Sequence, residues 1–483
     1  MLTLITGRGK SGKTRLLLEA VKACPTTEMA SRIVLVPEQL SHETERLLSE
    51  LCGDSISFTA EVLSFTRLCD RVFSRSGGGA RPILDQGGRI LTARLALDGI
   101  RPQLKVFGAA AGKPEFLGSM VSMVDELKSY GVTTEILSDA SHNTTGLFSE
   151  KLSELALILG AYEAATAQGA RDPRDRLSLL RKKLLNGDYA RGKHFFVDGF
   201  TDFSGQELRV LEAILRTGES LTVTVPAGQG DDTLFAPGME TLGQLTHLAQ
   251  QLGIDYSVTS AEYQRPIPPA LTYLEQQLMG SAGSPYPEPT DAVTVLSAST
   301  VLEECRACAA VLQKKAMEGM RFRDMAICCG DENVYSAMLT PMFASLGIPL
   351  YRSEKRQVLA HPVARFVLLA LECATEGVEQ ETVLSYLKTG YPGLSRNQVD
   401  LLENYCVVWG IRGNRFFSEW TMHPDGYDGR FTEKTEQALK NLAQWQETGI
   451  FPLKRLSEAM KTAQDVRGQL TALYAFLTET KLY

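Results

Sequence analysis

The chain has 483 residues, 44% of them hydrophobic and 22% charged, and a formal net charge of −7. That length calls for roughly two to four domains of ordinary soluble composition. The acidic balance excludes a generally sticky, basic nucleic-acid binder, though not a local basic track, and no apolar run reaches the roughly 18 residues a membrane span needs.

The amino-terminal stretch lacks the basic segment and cleavage site of a secretory signal, so a cytoplasmic location is expected. Nine cysteines form no paired framework. Cys305 and Cys308 alone have metal-like spacing, and without a nearby partner pair they read as ordinary helix positions in a reducing compartment. The histidines show no HxxxH or HExxH pattern, and no metal site is read from them.

Leu2–Thr6 alternates β-formers before a glycine-rich turn, and Lys13–Ala23 continues with helical periodicity. Arg32–Val36 reads as a second strand ending at Pro37, Leu40–Leu51 as an amphipathic helix, Phe58–Val62 as a short strand and Phe65–Phe73 as a helix. This order begins a parallel α/β sheet. From about Pro82 to Leu185 the strand signal vanishes, and 85–98, 115–130, 149–168 and 174–185 read as helices. Strands return at His194–Val197 and Ser220–Val225, so a helical block inserted between strands of one sheet is expected. Residues 228–290 are mixed, with Gly280–Asp291 a linker. Beyond it, Ala292–Ala298 and Met325–Cys329 read as strands of a second α/β unit, flanking a helix at Val301–Glu318. Residues 360–480 read as mostly helical. Leu470–Tyr483 still carries an apolar helical pattern without a cap, which reads as a truncated end. The expected division is therefore 1–82 with 186–285, an inserted 83–185, the start of a second α/β domain at 286–360, and a helical region at 361–483.

Gly7, Arg8, Gly9, Lys10, Ser11, Gly12, Lys13 and Thr14 satisfy G-x-x-x-x-G-K-[ST], with a strand before and a helix after. Such a loop wraps phosphate oxygens with backbone N–H groups and adds the partial positive charge of a helix N-terminus. Lys13 is expected on the β/γ-phosphates and the Thr14 hydroxyl on Mg²⁺, so ATP or GTP binding is the reading, against a glycine turn that binds nothing.

The Walker B candidate is His194-Phe-Phe-Val-Asp198-Gly199-Phe200-Thr201-Asp202, with Asp198 as the second Mg²⁺ residue. Superfamily 1 DNA helicases read D-E-F-Q-D there. Asp198, Phe200 and Asp202 fit, but Gly199 replaces the water-positioning Glu and Thr201 the phosphate-sensing Gln. Losing a general base typically costs about 10²–10⁴ in rate. A G-D-x-x-Q motif gives way to Pro226-Ala-Gly-Gln-Gly, and Gly330 stands where a helicase strand ends in an arginine worth on the order of 10³–10⁵. Only six residues precede Gly7, too few for an adenine-reading glutamine motif in front of it. Nucleotide binding without fast turnover, and no catalytic residue, is the expectation.

Together with Val36-Pro-Glu-Gln39, Val62-Leu-Ser-Phe65-Thr-Arg67-Leu, Val197-Asp-Gly-Phe200 and the stretch from Glu303-Glu-Cys-Arg306 to Gly347-Ile-Pro-Leu-Tyr351, these motifs resemble the B subunit of the AddAB-type ATP-dependent helicase–nuclease, related to RexB. The resemblance spans nearly the whole chain. It implies a P-loop, RecA-like first domain (1A) split by a helical 1B, the start of a 2A domain, and a 2B-like helical region. It further implies an AddA-type motor as partner, action on DNA double-strand ends and single-stranded DNA, and degradation until a Chi sequence is met, ahead of recombinational repair. A C-terminal nuclease stapled by a four-cysteine iron–sulfur cluster belongs to the same implication, and neither it nor its cysteines are found in this chain.

For DNA contact, Thr59, Ser64 and Arg67 are the candidates, with helix caps and solvated surface as the alternative. The basic run Arg171–Lys183 reads as a solvated helix face or a DNA track, and Lys314, Lys315 and Arg352–Arg356 likewise. A stand-alone P-loop NTPase, kinase or ATP switch not acting on DNA is the competing function, although no arginine-rich lid is evident.

Overall fold

A computed structural model describes residues 1–25, 29–228, 233–261, 268–277, 284–352, 358–427 and 429–482. The chain divides into two units, Met1–Val295 and Leu296–Tyr483.

The first unit is organised by a parallel sheet. Its strands are β1 (Leu2–Gly7), β2 (Arg32–Leu35), β3 (Ala60–Leu63), β4 (His194–Val197), β5 (Ser220–Pro226) and β6 (Tyr256–Ser260), in the order β3-β2-β4-β5-β1-β6. Strands buried on both faces read as continuous apolar runs, and alternate residues serve opposite layers. Ile33, Leu35, Phe195 and Val197 pack into one core. Val34, Val36 and Phe196 pack into the other, with Leu17, Leu18 and Leu48. Each such fully buried side chain stabilises the unit by about 1.5–3 kcal/mol. The second core is covered by α1 (Lys13–Ala23) and α2 (Ser41–Cys52), the first by α3 (Phe65–Ser76) and by helices introduced below.

Between β3 and β4 the chain is helical: α4 (Gln86–Ile100), α5 (Pro114–Tyr130), α6 (Thr134–His142), α7 (Gly146–Gln168) and α8 (Asp175–Asn186). The short α6, capped by Thr133, lies between the helices read at 115–130 and 149–168, where the sequence pattern predicts none. Ala93, Val121, Val124, Leu159 and Tyr162 give these helices a core of their own. After β4 come α9 (Gly205–Thr217), then α10 (Ala236–Gln251) between β5 and β6, and α11 (Pro269–Gln277). Strand β6 escapes sequence detection because it is a short, largely exposed edge strand with only two apolar residues, Tyr256 and Val258.

The basic run 171–183, part of it solvent-exposed, is also tied into the fold. Arg171 donates to the Gly78 carbonyl at 2.8 Å and Lys183 to that of Ser76 at 2.7 Å. Arg174 pairs with Asp125 at 3.1 Å, Arg176 with Asp70, and Arg181 with Glu212 at 3.5 Å. These cations tie α8 and the turn before it to neighbouring elements. Beside them lies a buried ionic cluster in which Asp172, fully buried, sits 3.5 Å from Arg89 and 3.6 Å from Lys128.

In the second unit α12 (Val301–Met317) and α13 (Glu332–Leu346) share a small core of Cys305, Ala309, Leu339, Phe343 and Ile348. A larger core around Phe366, Tyr386, Tyr405, Phe416 and Trp420 joins α14 (Pro362–Thr375), α15 (Gln380–Leu387), α16 (Arg396–Val408), α17 (Glu433–Gly449), α18 (Phe451–Thr462) and α19 (Val466–Glu479). The strands expected at Ala292–Ala298 and Met325–Cys329 do not form, and the second unit carries no strand among the described residues. Both segments have β-forming side chains, but a strand exists only through the neighbour that pairs with its N–H and C=O groups. Val295 is 90% exposed, so local pattern without a partner has left it outside any core. No described helix is long and apolar enough to cross a membrane.

Candidate nucleotide site

Parallel strands bring their C-terminal ends to one edge of the sheet, where ligand crevices form in open α/β folds. At that edge β1 runs into Arg8–Gly12 and then α1. Gly12 stands at φ +93°, a left-handed backbone that favours glycine and lets the chain turn directly into the helix. The Lys13 ammonium folds into the loop, donating to the carbonyls of Gly7 at 2.8 Å and Arg8 at 2.7 Å. Burial pushes its pKa down, against the opposing pull of the Asp198 and Glu275 carboxylates. Thr14, half-buried, follows in the first turn of α1.

Asp198 follows directly on β4, buried to 7% exposure. Strand β5 separates β4 from β1, with Val197 in register with Val223 and Gly7 with Pro226. The next step along β5 places Thr224 beside Asp198, and its hydroxyl donates to the carboxylate. Asp198 and Thr14 would hold a phosphate-bound Mg²⁺, an ion that ordinarily takes only one or two protein carboxylates and fills its shell with waters and phosphate oxygens. The two-residue donor set fits that use and no all-protein cage. Among the described residues no cluster of three or more metal-binding side chains occurs.

Gly199 is a built feature of this edge. It sits at φ +81°, and a Cβ there would stand 2.7 Å from the Leu40 side chain and 3.2 Å from Pro37. The turn after β2 therefore closes over the position where a helicase carries its water-positioning Glu. Thr201 and Asp202 are exposed beyond it. Gln206 is used internally: it donates to the Arg174 carbonyl at 3.0 Å. Of the segment Pro226-Ala-Gly-Gln-Gly, residues 229–230 lie outside the described residues, as do 353–356 of the run Arg352–Arg356. Gly330 is exposed in the second unit.

The three DNA candidates are not brought together. Thr59 precedes β3, at the opposite edge of the sheet, where its hydroxyl accepts from Arg32 at 2.6 Å. Ser64 is on the nucleotide edge but buried, capping α3 through the Arg67 N–H and donating to Glu38 at 2.9 Å. Arg67 is half-exposed between Glu38 and Glu45, 4.0 and 3.8 Å away.

Sequence reasoning missed three residues. Thr224 was legible as a polar residue in a buried strand. Phe235 and Glu275 were not: Arg8 pairs with the Glu275 carboxylate at 3.0 Å, donates to its carbonyl at 3.0 Å, and lies 4.7 Å above the Phe235 ring. Partners so far along the chain leave no local signal.

A family model described as ADDB, N-terminal matches residues 4–275. The chain is 32% identical to the B subunit of the ATP-dependent helicase/deoxyribonuclease of Pelotomaculum thermopropionicum, over all of this chain and 44% of the relative. To the protein of the same name from Desulforudis audaxviator it is 34% identical, over 86% of this chain and 37% of the relative. For that of Acetivibrio thermocellus the identity is 29%, over 99% of this chain and 43% of the relative. The chain thus spans less than half the length of these curated relatives.

Proposed function

The chain belongs to the ADDB N-terminal family, and we propose that it is the helicase-like, catalytically decayed portion of a protein that binds ATP with Mg²⁺ but turns it over slowly or not at all. The carrying observation is the pairing of an intact phosphate loop with a Walker B turn built around glycine. Gly7–Thr14 offers backbone N–H groups, Lys13 and a helix N-terminus to phosphates. Gly199, at φ +81° with a Cβ position 2.7 Å from the Leu40 side chain, disfavours a carboxylate-bearing residue next to Asp198.

In this reading residues 1–82 with 186–285 form the 1A domain, 83–185 the 1B insertion, 286–360 the start of 2A, and 361–483 a 2B-like region. The chain works with an AddA-type motor on double-strand DNA ends and single-stranded DNA, in a complex that degrades DNA until a Chi sequence is met. No residue of this span is assigned to the nuclease or the iron–sulfur cluster that the resemblance implies. The relatives, each named as the B subunit of an ATP-dependent helicase/deoxyribonuclease, support that assignment. DNA contact through Thr59, Ser64 and Arg67 has less support, since Thr59 and Ser64 stand at opposite edges of the sheet and Ser64 is buried.

Titrating the purified chain with a fluorescent ATP analogue, and measuring phosphate release in parallel, tests the reading. Binding that Lys13→Ala abolishes, with negligible ATP turnover and no nuclease activity, is the expected result. Rapid hydrolysis by the isolated chain would overturn it.

A further inference from the structure

An acidic side chain reaches the phosphate loop from outside every motif. Glu275 lies in the last turn of α11. A carboxylate there opposes the partial negative charge of the helix C-terminus, so its placement gains nothing from its own helix. Its compensation comes from the loop. The carboxylate pairs with the Arg8 guanidinium at 3.0 Å, and the Arg8 Nη2 donates to the Glu275 carbonyl at 3.0 Å. Phe235 holds the other side of the guanidinium, 4.7 Å from its centroid. Both partners are largely withdrawn from solvent, at 19% and 26% side-chain exposure. The field of the same carboxylate reaches Lys13. One anion therefore pairs with Arg8 and reaches Lys13, two of the three cations of the loop, Lys10 being the third.

We propose that Glu275 is a discriminating residue of the nucleotide site: its carboxylate competes with nucleotide phosphates for Arg8, and so weakens binding more for the more highly charged triphosphate than for the diphosphate. The inference rests on the nucleotide-binding reading above and deepens it. Carboxylate and phosphate are both anions. Each stabilises the cations when alone, and the two repel when the site is filled. The repulsion grows with the charge brought in, and it is strong where water is partly excluded. A site of this kind accepts nucleoside diphosphate readily and admits triphosphate fully once α11 gives up its hold on Arg8.

The test compares the full chain with Glu275→Gln, which keeps size and hydrogen-bonding capacity and removes the charge, and with Glu275→Asp, which keeps the charge. Affinities for ATP and ADP are measured by calorimetry at fixed Mg²⁺ and low salt, with thermal unfolding followed alongside. Glu275→Gln is expected to tighten ATP binding about tenfold and ADP binding by about threefold. Glu275→Asp should preserve the wild-type ratio of the two. Detectable binding with the same ATP and ADP affinities in wild type and Glu275→Gln overturns the inference while the nucleotide site stands. An equal gain for both nucleotides also overturns it, since mere loosening of α11 has that effect. If neither wild type nor Glu275→Gln binds nucleotide, the site reading falls and the inference with it.

Discussion

At Gly199 a missing side chain and a backbone conformation are the same fact. The residue holds φ +81° under Leu40 and Pro37. An L side chain in such a backbone costs on the order of 1–3 kcal/mol before any clash is counted. Restoring the helicase carboxylate with Gly199→Glu is therefore expected to leave ATP turnover negligible. It should also lower the melting temperature of the first unit, by about 2–4 °C per kcal/mol. Phosphate release and calorimetry measure the two, and a variant that gains hydrolysis without losing stability would show the turn to be adaptable. The loop residues were legible because the phosphate loop is written in consecutive positions, and Asp198 because it ends an apolar strand. Glu275 was not, because it meets Arg8 only through the fold.

Helices α4, α5 and α8 meet at a charged joint rather than an apolar one. Asp172 is fully buried between Arg89 and Lys128, and Asp125 receives Arg89 and Arg174. Removing one member of a buried ion network leaves its partners uncompensated, at a typical cost of about 3–5 kcal/mol. Asp172→Ala should fall in that range by urea unfolding. Lys128→Met in the same background should recover part of it, and strictly additive losses would show the two charges to be uncoupled. Acid acts on the same joint. Burial alone pushes the Asp125 carboxyl up, but hydrogen bonds from Arg89 and Arg174 outweigh it and hold the pKa below the usual carboxylate range. The stability from this group is present above the unfolded carboxylate pKa of about 3.9 and is lost as pH falls through the lower folded value. Loosening of α4 and α5 should therefore set in only in strong acid. The joint also shows where pattern reading stops. The ion pairs of the arginines in 171–183 could not be read from pattern, because their partners Asp70, Asp125 and Glu212 lie elsewhere in the chain. Buried strands β2, β4 and β5 were read correctly from their apolar runs. The two strands expected at 292–298 and 325–329 had the right side chains and no neighbour to pair with.

The residues proposed to bind nucleotide all lie in one unit. Gly7–Thr14, Asp198, Thr224, Phe235 and Glu275 all belong to Met1–Val295. In a working helicase the second domain supplies an arginine to the γ-phosphate, and its loss there costs on the order of 10³–10⁵ in rate. By sequence, Gly330 stands at that place, though the strand Met325–Cys329 that would carry it does not form. The first unit also has two apolar layers around its own sheet and a further core among α4–α7, so it does not depend on Leu296–Tyr483 for a hydrophobic interior. A protein ending at Val295 is accordingly expected to fold and to bind ATP within about twofold of the 483-residue chain, since every residue assigned to the nucleotide stays in place. Calorimetric titration of the two proteins under identical Mg²⁺ and salt decides the matter. A tenfold loss in the shorter protein would mean that Leu296–Tyr483 supplies a side chain to the nucleotide that the helicase pattern does not identify.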